Sequence, residues 1–169
     1  MIRLLGSVLV AGGGLWLGCA AAGQLRLSLR TLEEMIRGLA LLEGEMALTG
    51  GTLEALMLRL AHRAPGAAGE LFAAYGKALA RLGEDTAAGL WRECVGAVEP
   101  LSREGREILC SLGEFLGRYG EREQCAAMAA VREELERLRE REGERCRENC
   151  RLCRVMSLSG GAFLVILLV

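Results

Sequence analysis

Histidine, aspartate, proline and aromatic side chains are all scarce in this chain. One histidine, His62, and one aspartate, Asp85, leave little acid–base equipment, and no arrangement of nucleophile, base and orienting acid can be assembled from them. The sequence therefore offers no catalytic residue. Two prolines and 4 % aromatics leave few chain breakers and few large anchors. β-branched residues are also few, so strands are not expected. There is no excess of either charge sign: 21 Lys and Arg stand against 22 Asp and Glu, and the arginines are interleaved with glutamates. Such a balance gives no basic field for nucleic acid. Neither G-x-x-x-x-G-K-[ST] nor a G-x-G-x-x-G after a strand occurs, so a phosphate loop is excluded. The seven cysteines form an odd set without the spacing of a small secreted scaffold, which points to a reducing compartment.

What the chain has is helix-forming and apolar. Ala, Leu, Glu and Arg dominate its 169 residues, and 51 % are hydrophobic. Residues 4–25 carry no charge and would span about 33 Å as a helix, enough for a hydrocarbon core of roughly 30 Å. Arg3 before it and Ala20-Ala21-Ala22 within it are also compatible with a cleaved signal peptide. Cys19 after Gly18 evokes a lipoprotein signal, but Trp16 occupies the place where a lipobox has Leu. The continuation favours an uncleaved anchor. Leu25, Leu29, Leu32, Ile36, Leu39, Leu42 and Met46 recur at three- and four-residue steps with no breaker between them and the apolar run. At the other end, residues 155–169 are uncharged and finish in FLVILLV. They cover only about 22 Å as a helix, and a start at Leu152 with Arg154 snorkelling adds a turn. Ser157, Ser159, Gly160 and Gly161 permit close helix approach in lipid.

The expected organisation is an all-α chain: an N-terminal transmembrane anchor over 1–25, a helical bundle domain over 26–154, and a C-terminal hydrophobic or transmembrane segment over 155–169. Arg26, Arg30 and Arg37 follow the first segment, and Arg145, Arg147, Arg151 and Arg154 precede the second. The positive-inside rule then places the central domain in the cytoplasm. Turn signals divide it. Gly50-Gly51 precedes a helix over 53–63 capped by Gly51 or Thr52. Pro65-Gly66 precedes one over 69–83. Asp85 or Thr86 caps one over 87–99, Ser102 caps one over 103–118, and a last helix starts near Glu121. With the first helix this makes six, and the short connections imply antiparallel neighbours in a bundle. Gly44, Gly76, Gly89, Gly105 and Gly113 fall inside these helices, at about 1 kcal/mol each relative to Ala, and close helix packing is the expected compensation.

The stretch CRENCRLCRV places Cys146, Cys150 and Cys153 at C-x₃-C-x₂-C. This spacing resembles the cluster motif of radical S-adenosylmethionine enzymes. Those enzymes need a barrel of strands, which this chain lacks, and no histidine is near enough to complete a zinc site. The three cysteines instead continue the apolar stripe Met128, Val131, Leu135 and Leu138, which weakens at Glu142. Free cysteine packs as a small hydrophobe. No metal or cofactor is expected. Cys94, Cys110 and Cys125 lie in apolar segments and read as core. His62, at a helix end, reads as a surface or capping residue.

The order of segments resembles the stage III sporulation protein AB family over essentially the whole chain. Arg3-Leu4-Leu5-Gly6 is similar to the family's opening, Leu42-Glu43-Gly44-Glu45-Met46 to its L-x-x-E-[IM] segment, and Ala87-Ala88-Gly89-Leu90-Trp91 to its A-x-x-x-W segment. Ile108-Leu109, Leu112-Gly113, Leu116-Gly117 and Gln124 resemble its I-L-x-x-L-G-x-x-L-G…Q block, and FLVILLV its terminal signature. The family often has Thr-Pro-Leu where this chain has Gly51-Thr52-Leu53, and an acidic residue near the position of Gly120, and the juxtamembrane cysteines are outside the pattern. The resemblance implies a six-helix domain like those of type II secretion platform proteins. It also implies a non-enzymatic assembly role in the membrane between mother cell and forespore. The implied partners are an ATPase like stage III sporulation protein AA, other stage III sporulation channel proteins, and membrane lipid. Two charged surfaces are candidates for partner contact: Glu43 and Glu45 on the first helix, and Glu133, Arg137, Glu140, Arg141 and Glu144 on the last. The competing function is a redox- or metal-responsive membrane protein acting through Cys146, Cys150 and Cys153.

Overall fold

The computed structural model describes the backbone of residues 2–46, 52–116 and 121–168, and the side chains of 23–46, 52–116, 123–149 and 151. Among the described residues there are six α-helices and no β-strand. They are α1 (Ile2–Met46), α2 (Leu53–Ala61), α3 (Gly66–Ala78), α4 (Ala87–Gly96), α5 (Arg103–Leu112) and α6 (Glu121–Leu168), with a 3₁₀ turn at Leu79–Arg81. The chain divides into two compact units, one of residues 28–140 and one of residues 1–27 with 141–169. No helix among the described residues is long and apolar enough to cross a membrane. The two apolar runs on which the sequence places membrane segments lie, apart from residues 23–25, outside the described side chains.

Local chemistry sets the helix starts. The Thr52 hydroxyl accepts from Ala55 N at 3.4 Å, that of Thr86 from Gly89 N at 3.1 Å, and that of Ser102 from Gly105 N at 3.3 Å. Each satisfies one of the amide groups left open at a helix N-terminus. Helix ends differ from the sequence expectation. α4 stops at Gly96 rather than at residue 99, because Ala97 N and Val98 N turn to Cys94 O and Val95 O. α5 stops at Leu112 rather than at residue 118, in consecutive turns whose amides reach back three residues. α3 begins at Gly66, earlier than residue 69, because its N-terminus is capped from elsewhere in the chain.

That cap is Glu34 of α1. Its Oε2 accepts from Ala67 N at 2.9 Å, and Arg30 Nε lies 3.2 Å from its Oε1. Gly66 has φ +42, and a Cβ there would meet the Glu34 carboxylate at 2.2 Å, so glycine is required both by the backbone and by the cap. A carboxylate facing open amides at the positive end of a helix dipole stabilises it. Glu34→Ala is expected to cost about 1–2 kcal/mol in urea unfolding, while Glu34→Gln, which keeps an acceptor, loses less. A cost within error of zero for Glu34→Ala would show that water replaces this cap.

The core of the unit formed by residues 28–140 draws on every helix. Leu32, Met35, Leu39 and Leu42 come from α1, Met57 and Leu60 from α2, Phe72 and Tyr75 from α3, Leu90 and Trp91 from α4, Leu109 and Leu112 from α5, and Met128, Leu135 and Leu138 from α6; all are almost fully buried. Helical spacing generates these faces, since residues three and four apart share one side. Among the glycines expected to sit at close packing, Gly76 faces Leu58 and Met57, and Gly113 faces Trp91. Gly44 has open space where a Cβ would stand, so close packing does not explain it. Cys94, Cys110 and Cys125 are half-buried and pack at the margin of the core rather than within it.

Candidate functional site

Trp91 is the centre to which the α4 and α5 segments converge. It is fully buried, and its ring meets Tyr75 edge-on with centroids 4.9 Å apart and planes at 83°. That geometry sets the positive edge of one ring against the negative face of the other. Trp91 Nε1–H donates to Leu109 O at 2.6 Å. Leu109 is among the last four residues of α5, whose carbonyls lack the full complement of helix donors, so the indole satisfies a helix end. Gly113 completes the fit: a Cβ there would stand 2.7 Å from Trp91 Cδ1. The Tyr75 hydroxyl donates to Ala87 O at 3.3 Å. Burial, with a smaller contribution from Cys94, pushes the phenol up to about 12 and keeps it neutral. The group is an interior strut between α3, α4 and α5.

The two charged surfaces singled out in the sequence differ in kind. Glu43 and Glu45 are only half-exposed and are engaged within the fold. Glu43 pairs with Arg132 of α6 at 3.4 Å, and Arg132 also pairs with Glu136 at 2.8 Å. Glu45 pairs with Arg63, in the turn between α2 and α3. These carboxylates fasten α1 to its neighbours. Sequence reading missed Arg132 and Arg63 as their partners, because nothing local relates positions so far apart in the chain. On α6, Glu133 and Arg137 are exposed and pair with each other at 2.6 Å, the i, i+4 spacing read from the sequence. Glu140 is exposed in the same unit, while Arg141 and Glu144 are exposed in the other. Arg141 also interacts within the chain.

Cys146 is buried at 7 % exposure, in keeping with a packing role. The side chains of Cys150 and Cys153 lie outside the described residues. Among the described residues, no three His, Cys, Asp or Glu side chains gather as a metal site. His62 is exposed and forms the C-cap of α2. A shallow groove of about 250 Å³, which the sequence did not reveal, runs between α3 and the end of α4. It is lined by Leu71, Ala74, Cys94 and Val98, among others, with Glu70 and Glu99 at its sides. Burial raises the Cys94 thiol above its usual range; neighbouring Glu93 adds to the effect and Arg81 opposes it.

A profile of the family described as stage III sporulation protein AB matches residues 3–169. The chain belongs to the stage III sporulation protein AB family. Its role is therefore in sporulation. A solved structure titled "Stage III sporulation protein AB (SpoIIIAB)" is similar, with a TM-score of 0.62 and 21 % identity; the match covers 71 % of this chain and 96 % of that one. At that identity the likeness shows a shared fold. No curated protein matches the chain. Among the described residues, part of the segments that carried the family resemblance packs inside the domain. Trp91, Leu109, Leu112 and Leu116 are buried together in one core, and Gln124 is buried as well.

Proposed function

We propose that this chain is a non-enzymatic membrane platform in the mother cell–forespore channel machinery, and that its helical domain docks a secretion-type ATPase like stage III sporulation protein AA. The observation that carries this reading is the match to the sporulation family over residues 3–169. The buried aromatic centre is consistent with it, because the largest side chains serve internal packing. Function then falls to surfaces. The uncharged ends at 4–25 and 155–169 would anchor the chain in the membrane, with the domain on the cytoplasmic side. Glu43 and Glu45 are half-exposed and tie α1 to other segments, whereas Glu133, Arg137 and Glu140 are exposed on α6, so the docking face is assigned to these three. An exposed, mixed-charge surface suits an electrostatically steered contact of moderate affinity.

The test is charge reversal in a sporulating cell that depends on this chain. Glu133→Lys with Glu140→Lys is expected to abolish heat-resistant spores while protein level and membrane insertion stay normal. Stability should change by only about 0–1 kcal/mol, since exposed pairs contribute little. Normal spore counts would remove α6 as the docking face. Reversal at Glu43 should instead disturb the fold through Arg132, and this separates a structural pair from a docking charge.

A further inference from the structure

We propose that the groove between α3 and the end of α4 is a docking site for a basic, amphipathic segment of a partner protein. Most of its lining is apolar: Leu71 and Ala74 come from α3, and Ala97 and Val98 from the turn that ends α4. Two exposed carboxylates, Glu70 and Glu99, also line it, and among the described residues neither is within ion-pair reach of a cation. None of the residues lining the groove is basic. Arg103, four residues after Glu99, pairs with Glu107 at 2.9 Å, and Arg63, seven residues before Glu70, pairs with Glu45. Arg92 pairs with Glu114 at 3.1 Å and Arg81 with Glu93 at 2.7 Å, while Arg106 donates to Val98 O at 3.3 Å, at the edge of the groove itself. An apolar trough whose only charged lining residues are two carboxylates complements an apolar side chain with Lys or Arg beside it.

The other occupants fit less well. At about 250 Å³ the groove falls below the roughly 300–1,000 Å³ typical of small-molecule sites, and it is open. An anionic lipid surface would be repelled by Glu70 and Glu99. A second copy would bring exposed arginines that are largely matched already, as Arg37 is by Glu33, Arg103 by Glu107 and Arg137 by Glu133. The groove accepts two or three side chains, so it serves as one anchor within a larger contact. This proposal does not depend on the ATPase or on the α6 face.

Cys94 lines the groove, and its alkylation reports occupancy directly. The purified full chain would be treated with N-ethylmaleimide, with and without a short synthetic peptide of alternating Leu and Lys. Rates at Cys94 and at Cys110, which lies outside the groove, would be read by mass spectrometry. The expected result is about fivefold slower alkylation of Cys94, the protection given when peptide stands at about four times its dissociation constant. Cys110 should be unchanged, and an alternating Leu and Glu peptide should have no effect. Glu70→Lys with Glu99→Lys should abolish the protection, as should Ala74→Trp; Ala74 is exposed, so the fold should tolerate a larger side chain there. The proposal is overturned if Cys94 is not protected, if Cys110 is protected equally, or if protection survives both sets of substitutions. Protection that grows with the chain's own concentration, without peptide, would assign the groove to a second copy and overturn it as well.

Discussion

Trp91→Ala is expected to lower the unfolding free energy of the helical domain by about 3–5 kcal/mol, the cost of removing a large buried aromatic side chain. Domains of this kind are stable by only about 5–15 kcal/mol, so the variant should be close to unfolding at growth temperature. Three losses combine: the volume enclosed by α3, α4 and α5, the edge-on contact with Tyr75 at 4.9 Å, and the indole donor to Leu109 O. Trp91→Phe separates them. It keeps an aromatic ring against Tyr75 but removes the N–H, leaving a buried carbonyl without that donor at a cost of about 1–3 kcal/mol. Guanidinium unfolding followed by circular dichroism measures both variants. A loss below about 1 kcal/mol for Trp91→Ala would contradict the burial of the indole and its place at the centre of the core.

Gly38→Ala should destabilise the domain by about 1–2 kcal/mol, although alanine is the better helix former by about 1 kcal/mol. A Cβ at residue 38 would stand 2.5 Å from Ala68 Cβ and 3.3 Å from a Phe72 ring carbon. Carbon atoms do not approach within 3.0 Å, so α1 and α3 would have to move apart at a point where both are buried. The reciprocal change identifies the cause. Ala68→Gly alone should also destabilise, by loss of helix propensity and of contact. Combined with Gly38→Ala, it should restore most of the stability, because the single methyl at the crossing is only transferred from one helix to the other. The coupling between the two sites is expected at about 0.5–3 kcal/mol, favourable in the double variant. Simple additivity would show that the helices are free to adjust at this crossing.

The helical class, the segment order and the caps were legible in the sequence because each depends on residues near one another in the chain. Thr52, Thr86 and Ser102 stand directly before their helices and cap them. Met128, Val131, Leu135 and Leu138 share a face by spacing alone, and all are buried. The ends of α4 and α5 were less legible: nothing in GAVE or GEFLGR forbids a helix, and the competing three-residue turns are decided by where the chain must go next. The charged candidates divide along the same line. The Glu133–Arg137 pair is local and was read correctly as an i, i+4 pair. The pairs Glu43–Arg132 and Glu45–Arg63 join segments remote in sequence.

The sequence by itself determined an all-α chain in the sporulation family and the positions at which most helices begin. Hydrophobic period, capping chemistry and composition act over a few residues and need no tertiary contact to be read. Tertiary structure alone decided that Glu34 caps a helix more than 30 residues away, that Gly38 is close-packed while Gly44 is not, and that Trp91 completes the end of α5. It also decided that Glu70 and Glu99 flank one apolar groove. Each of these depends on which helix faces meet and at what distance. That is fixed when side chains from all the helices compete for one core, and no short stretch of sequence records the outcome.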